Sequence, residues 1–65
     1  MPSVPTSSRD IIRRLRTEGW KLLRIEGSHH HFGKPGLTLI ITVPHPKKDL
    51  PIGTARRIAK IAGWV

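Results

Sequence analysis

Apolar positions along the chain change period twice. In SSRDIIRRLRTE, residues 7 to 18, Ile11, Ile12 and Leu15 recur at helical spacing, while Arg9, Arg13 and Arg16 fall largely elsewhere. Ser7 is suited to cap this helix, with Asp10 three residues on as a short-chain capping box, and Gly19 to stop it. From Trp20 the period becomes two. In WKLLRIEG, Trp20, Leu22 and Arg24 fall on one side of a strand, and Lys21, Leu23 and Ile25 on the other. Leu23 and Ile25 mark the expected core face. Gly27-Ser28 signals a turn, HHHF enters a second strand, and GKPG closes it. LTLIITV, Leu37 to Val43, is the clearest strand pattern, rich in β-branched residues. Its almost unbroken apolar run predicts a central or well-covered position. Pro44 and Pro46 end it, and HPKKDLP reads as a loop. Helical spacing returns from about Pro51 to Ala62: Ala55, Ile58, Ala59 and Ala62 form one stripe with Ile61 beside it, and Arg56, Arg57 and Lys60 lie off it. Pro51 suits the first turn and Gly63 the end.

The order is helix, three strands, helix. Short turns between sequential strands predict an antiparallel meander with both helices on one face, an α+β fold of the α-β-β-β-α type. Sixty-five residues make a single domain spanning 1–65, with 1–6 expected to be a short mobile leader. MPSVPTSS has neither the basic start nor the apolar run of a signal peptide. No apolar run approaches the ~20 residues of a membrane span. The chain has no cysteine, which removes disulfides and thiolate zinc sites and fits a cytoplasmic setting.

Charge changes the picture most. Twelve Lys and Arg against four Asp and Glu give +8. A small domain with that charge repels itself, so a polyanionic partner is the natural reading, and nucleic acid fits because the basic residues recur along the whole chain. The plainer readings are a solubilising surface and a complex with an acidic protein.

GSHHHF carries three of the four histidines. In a strand, His29 and His31 share one face, and His30 turns to the other with Phe32. Adjacent histidines therefore do not converge on one ion. His29 and His31 could chelate together, but zinc wants a third protein ligand, and His45 supplies it only if its loop folds back. We expect no metal and no cofactor. A catalytic role needs less: imidazole exchanges protons near neutral pH. One histidine beside an RNA phosphodiester can take the 2′-hydroxyl proton, and Arg and Lys can stabilise charge on the phosphoryl oxygens. The competing reading is a set of polar strand residues that bind RNA without cutting it.

EGSHHHF, then TVPHPKKDLPIGT, then RRIAKIAG, in this order from about Ser7 to Gly63, resemble the HicA (YcfA-like) family of small bacterial toxins. The resemblance implies a fold like the double-stranded-RNA-binding domain and an mRNA interferase, a metal-independent endoribonuclease of a type II toxin–antitoxin system. It also implies an antitoxin partner, HicB, that covers the active site, and leaves room for a homo-oligomer within the toxin–antitoxin complex. The family's catalytic histidine follows its Gly-Gly or Gly-Ser pair, which places it at His29. Ala55 departs from the pattern, where a larger apolar residue is expected. The remaining assignments come from the residues themselves. His45 is the candidate for a second proton-transfer group. Gly27, Ser28, His31, Lys47 and Lys48 are the candidate RNA contacts. Trp20 is expected in the core, and Trp64 either caps the core or awaits a partner.

Overall fold

The structure, a computed structural model, describes residues 4–65. Helix α1 runs Ser8–Thr17, followed by strands β1 (Lys21–Glu26), β2 (His29–Gly33) and β3 (Ile41–Pro44), and helix α2 (Ile52–Ala62). The strands form one antiparallel sheet in the order β1-β2-β3, so the expected α-β-β-β-α meander is the fold. Ser7 caps α1, its hydroxyl accepting from Asp10 N–H at 3.2 Å. Gly63 ends α2 in the left-handed conformation, φ 81°.

The core lies between the sheet and the helices. Phe32, Ile41 and Val43 come from the sheet, Ile11 and Leu15 from α1, and Ala55, Ile58 and Ala59 from α2; Trp20 and Leu50 close its ends. Both helices pack mainly on β3. Trp20 is a core residue, as expected. Trp64 caps the core from outside. Its indole N–H donates to Glu18 Oε1 at 2.7 Å, and Arg14 sits 4.4 Å over its ring.

Two strand expectations are corrected. β3 spans only Ile41–Pro44 and is an edge strand, not a central one, although it is well covered, with Ile41 and Val43 fully buried under the helices. The cause is the turn before it. Leu37 N–H donates to Lys34 O at 3.0 Å, with Pro35 and a positive-φ Gly36 between them, the pattern of a type II turn. Such a turn does not match strand twist and splays the chain, so Leu37–Ile40 leaves the sheet and stays exposed. In β1, the pairing slips between Leu22 and Arg24. This bulge leaves Leu23 without a partner and reverses the face phase after it. Leu23 and Ile25 are exposed, 53% each; Ile25 lies opposite His30 on the helix side of the sheet, and it is exposed because the helices pack mainly on β3 and not on this strand.

Residues 1–3 of the expected leader lie outside the described residues. Of the rest, Val4 packs against the core. Thr6 accepts from Leu50 N–H at 2.8 Å and donates its hydroxyl to Asp49 at 2.9 Å.

Candidate active site

The pleat separates the histidines as the alternation requires. Val43 opposes His30 and Ile41 opposes Phe32, so these four share the helix-covered face. His29 and His31 project to the open face, opposite Pro44 and Thr42 on β3 and Glu26 and Arg24 on β1.

His29 is the first residue of β2, directly after the Gly27-Ser28 turn, where Gly27 takes φ 59°. It is exposed, and no hydrogen bond from the described residues holds its ring. It lines a groove of about 310 Å³ with Thr42 and Pro44 of β3 and Thr54 and Arg57 of α2, over a floor that includes Ile41 and Ile58. Thr54 and Arg57 escaped the sequence reading. The signal for them was weak: Arg57 was placed off the apolar stripe, but which strand α2 lies beside is a matter of tertiary packing.

The other three histidines are engaged. His31 Nδ1 meets Thr42 Oγ1 at 2.9 Å, and its Nε2 stands 2.8 Å from Glu26 Oε1, off the line of a good hydrogen bond. Glu26 also pairs with Arg24, Nε to Oε1 3.4 Å. The Arg24 hydrogen bond and charge, with His31 adding to them, hold the Glu26 carboxyl below its ordinary value.

His45 belongs to a different place. Its Nδ1 lies 2.7 Å from Ser8 Oγ. That buried hydroxyl also accepts from Lys47 N–H at 2.8 Å and donates to Lys47 O at 3.1 Å. A hydroxyl has one proton and two lone pairs. All three contacts are satisfied when His45 carries its proton on Nδ1 and donates it to Ser8. The His45 ring also meets His30 edge-on, centroids 4.9 Å apart. His30 is half-buried, and its Nδ1 finds no partner among the described residues. Burial first, then the nearby charges of His45 and His31, lower its pKa.

The expected site residues thus do not form one cluster; His31 stands on the open face of the sheet beside Thr42 and Glu26. Lys47 and Lys48 share a recess of about 280 Å³ with His45, Ser7, Ser8 and Arg9, while His29 lies in the β3–α2 groove. The Gly27-Ser28 turn joins them, since Ser28 O accepts from His45 N–H at 2.7 Å. Among the described residues, no three His, Cys, Asp or Glu side chains converge as metal ligands, and no helix is long and apolar enough to cross a membrane.

No curated protein matches the chain. Residues 8–64 match the family model described as the HicA toxin of bacterial toxin-antitoxin, which spans both helices, the whole sheet, the His29 groove and all of the His45 recess except Ser7. With that match over nearly its full length, the chain belongs to the HicA toxin family, the toxin side of a bacterial toxin–antitoxin pair.

Proposed function

We propose that the chain is an endoribonuclease that cuts mRNA by histidine acid/base chemistry at His29, without a metal, and that a HicB antitoxin restrains it in the cytoplasm. The carrying observation is the contrast among the four histidines. His31 and His45 bond to neighbours, and His30 is pressed into the core side. His29 alone combines an exposed ring, no bond from the described residues and a cation-bearing groove. Such a ring can approach a substrate without first breaking a protein contact.

In the proposed step, a ring nitrogen of His29 takes the 2′-hydroxyl proton. The freed oxygen attacks the adjacent phosphorus, the bond to the 5′-oxygen breaks, and that oxygen leaves with a proton from solvent or a second acid. The products are a 2′,3′-cyclic phosphate and a 5′-hydroxyl. RNA supplies its own nucleophile, so nothing in the step requires a metal. Gly27 and Ser28 bring the backbone turn close to the strand being cut. His31 flanks His29 on the open face, and Lys47 and Lys48 draw in neighbouring phosphates. His45 enters as the support of the Ser28 carbonyl; its ring faces Ser8 and His30, away from the groove. The +8 charge suits an acidic antitoxin as well as RNA.

The test is cleavage of an RNA transcript in excess EDTA, wild type beside His29→Ala, with both folds checked by circular dichroism. Wild type should cut RNA and spare its 2′-O-methyl counterpart. His29→Ala should keep the fold, because His29 is exposed, and lose at least 100-fold in rate, at the low end of what a proton-transfer group contributes, roughly 10²–10⁴. RNA binding by both proteins with cleavage by neither would leave a binding module on the same fold.

A further inference from the structure

We propose that the groove between β3 and α2 binds a single nucleotide of the RNA, with its phosphate between His29 and Arg57 and its base against Ile40 and Ile61. The proposal rests on the ribonuclease reading for what His29 does there, but the binding site stands on its own features. Three elements converge on it: β2 with His29, β3 with Thr42, and α2 with Thr54 and Arg57. Its volume, about 310 Å³, falls at the bottom of the range for small-molecule sites, roughly 300–1,000 Å³. One nucleotide fits that space, and a stacked run of bases does not.

The lining chemistry selects an anion with an apolar body. None of the four Asp and Glu side chains lines the groove, and Glu26, across the sheet from His29, is paired with Arg24. Its polar members are an imidazole, two hydroxyls and a guanidinium. Arginine keeps its charge at any working pH, and its fork of N–H donors matches phosphate oxygens. Ile40 is 45% exposed, leaving apolar surface for a base to cover. The lining also takes residues from both faces of β3, Ile41 and Thr42, which puts the groove along the strand's unpaired edge. Outward N–H and C=O groups there can read the edge of a base. An extended peptide could use the same edge, but the small volume and the absence of carboxylates favour a nucleotide.

Arg56 supplies the internal control. It is exposed one residue from Arg57 but does not line the groove; it borders only the neighbouring recess with Val4, Gly53, Lys60 and Val65, which Arg57 also touches. If Arg57 acts by direct contact, the two arginines differ in effect. If only net charge matters, they do not.

The experiment titrates the full chain with nucleoside 3′-monophosphates, and with inorganic phosphate alone, following backbone amides by NMR. Amides of Ile40, Thr42, Thr54, Arg57 and Ile61 should shift together and saturate with the nucleotides. Arg57→Ala should weaken binding about tenfold, the low end for a charge-assisted bond worth ~1.5–3 kcal/mol; Arg57→Lys should recover part of it, and Arg56→Ala should stay within about twofold of wild type. RNA cleavage by the same proteins should follow the same order. Shifts spread evenly over the basic surface, equal losses in the two alanine variants, or binding of an acidic peptide in place of nucleotides would each overturn the proposal. If wild type and Arg57→Ala cut RNA equally well and no nucleotide enters the groove, this site fails and the ribonuclease reading stands. If nucleotides bind in the groove and no protein cuts RNA, the site stands and the ribonuclease reading fails.

Discussion

Ser8→Ala should cost the fold about 1–2 kcal/mol and should loosen the turn that carries His29. Ser8 is 1% exposed, and its hydroxyl is the partner of Lys47 N–H and His45 Nδ1. Lys47 O keeps a partner in the variant, since Ser8 N–H also donates to it at 2.9 Å. Two donors are therefore orphaned, at roughly 1 kcal/mol each when water reaches them only in part. Alanine returns up to about 0.5 kcal/mol through its better helix propensity in the first turn of α1. The net loss is a large share of the roughly 3–10 kcal/mol expected for a domain of this length. It corresponds to a fall in Tm of about 5–15 °C. The assay is thermal and urea unfolding by circular dichroism, with a Ser8→Ala/His45→Ala cycle to isolate the pair. We expect a coupling energy near 1 kcal/mol. A Tm within about 2 °C of wild type, or a coupling near zero, would refute the idea that this hydroxyl ties α1 to the loop before α2. His45 N–H holds Ser28 O, so amide exchange at the Gly27-Ser28 turn should also quicken in Ser8→Ala.

Two further predictions concern charge. His30 binds its proton less readily in the fold than when unfolded, so the unfolded chain takes up more protons as pH falls. The stability this gives is full above the ordinary value of 6.5 and is lost as pH drops below it through the folded pKa. Burial sets this response first, and the charges of His45 and His31 then add to it. Urea unfolding between pH 7.5 and 5 should therefore show falling stability, and His30→Gln should flatten the slope. Glu18 should divide its contribution unequally. Glu18→Gln keeps an acceptor for Trp64 and loses only the half-exposed pair with Arg14, at most about 1 kcal/mol. Glu18→Ala also strands the indole N–H and should cost about 1 kcal/mol more, measured by urea unfolding of both.

The helices and the histidine alternation were legible because both are local. Ile11, Leu15, Ala55, Ile58 and Ala59 announce their faces by spacing alone, and the pleat fixes that His29 and His31 share a side. What was not legible depends on partners distant in sequence. Ser8 and His45 are 37 residues apart, and neither residue type signals the other. Arg57 joins His29 only because α2 lies along β3. The misread strand shows the same limit. Leu37–Ile40 has the composition of a strand, but composition cannot supply a partner. Antiparallel pairing continued past Phe32↔Ile41 would place Gly33 opposite Ile40, Lys34 opposite Leu39 and Pro35 opposite Thr38. Pro35 has no N–H to give, and the turn it forms with Gly36 sends the chain away from β2. The KPGL turn thus outweighs four strand-forming residues, and its effect reaches the site. By delaying the start of β3 to Ile41, it leaves Ile40 outside the sheet, where it becomes a wall of the groove in front of His29. The strand that fails to form is therefore part of what shapes the candidate site.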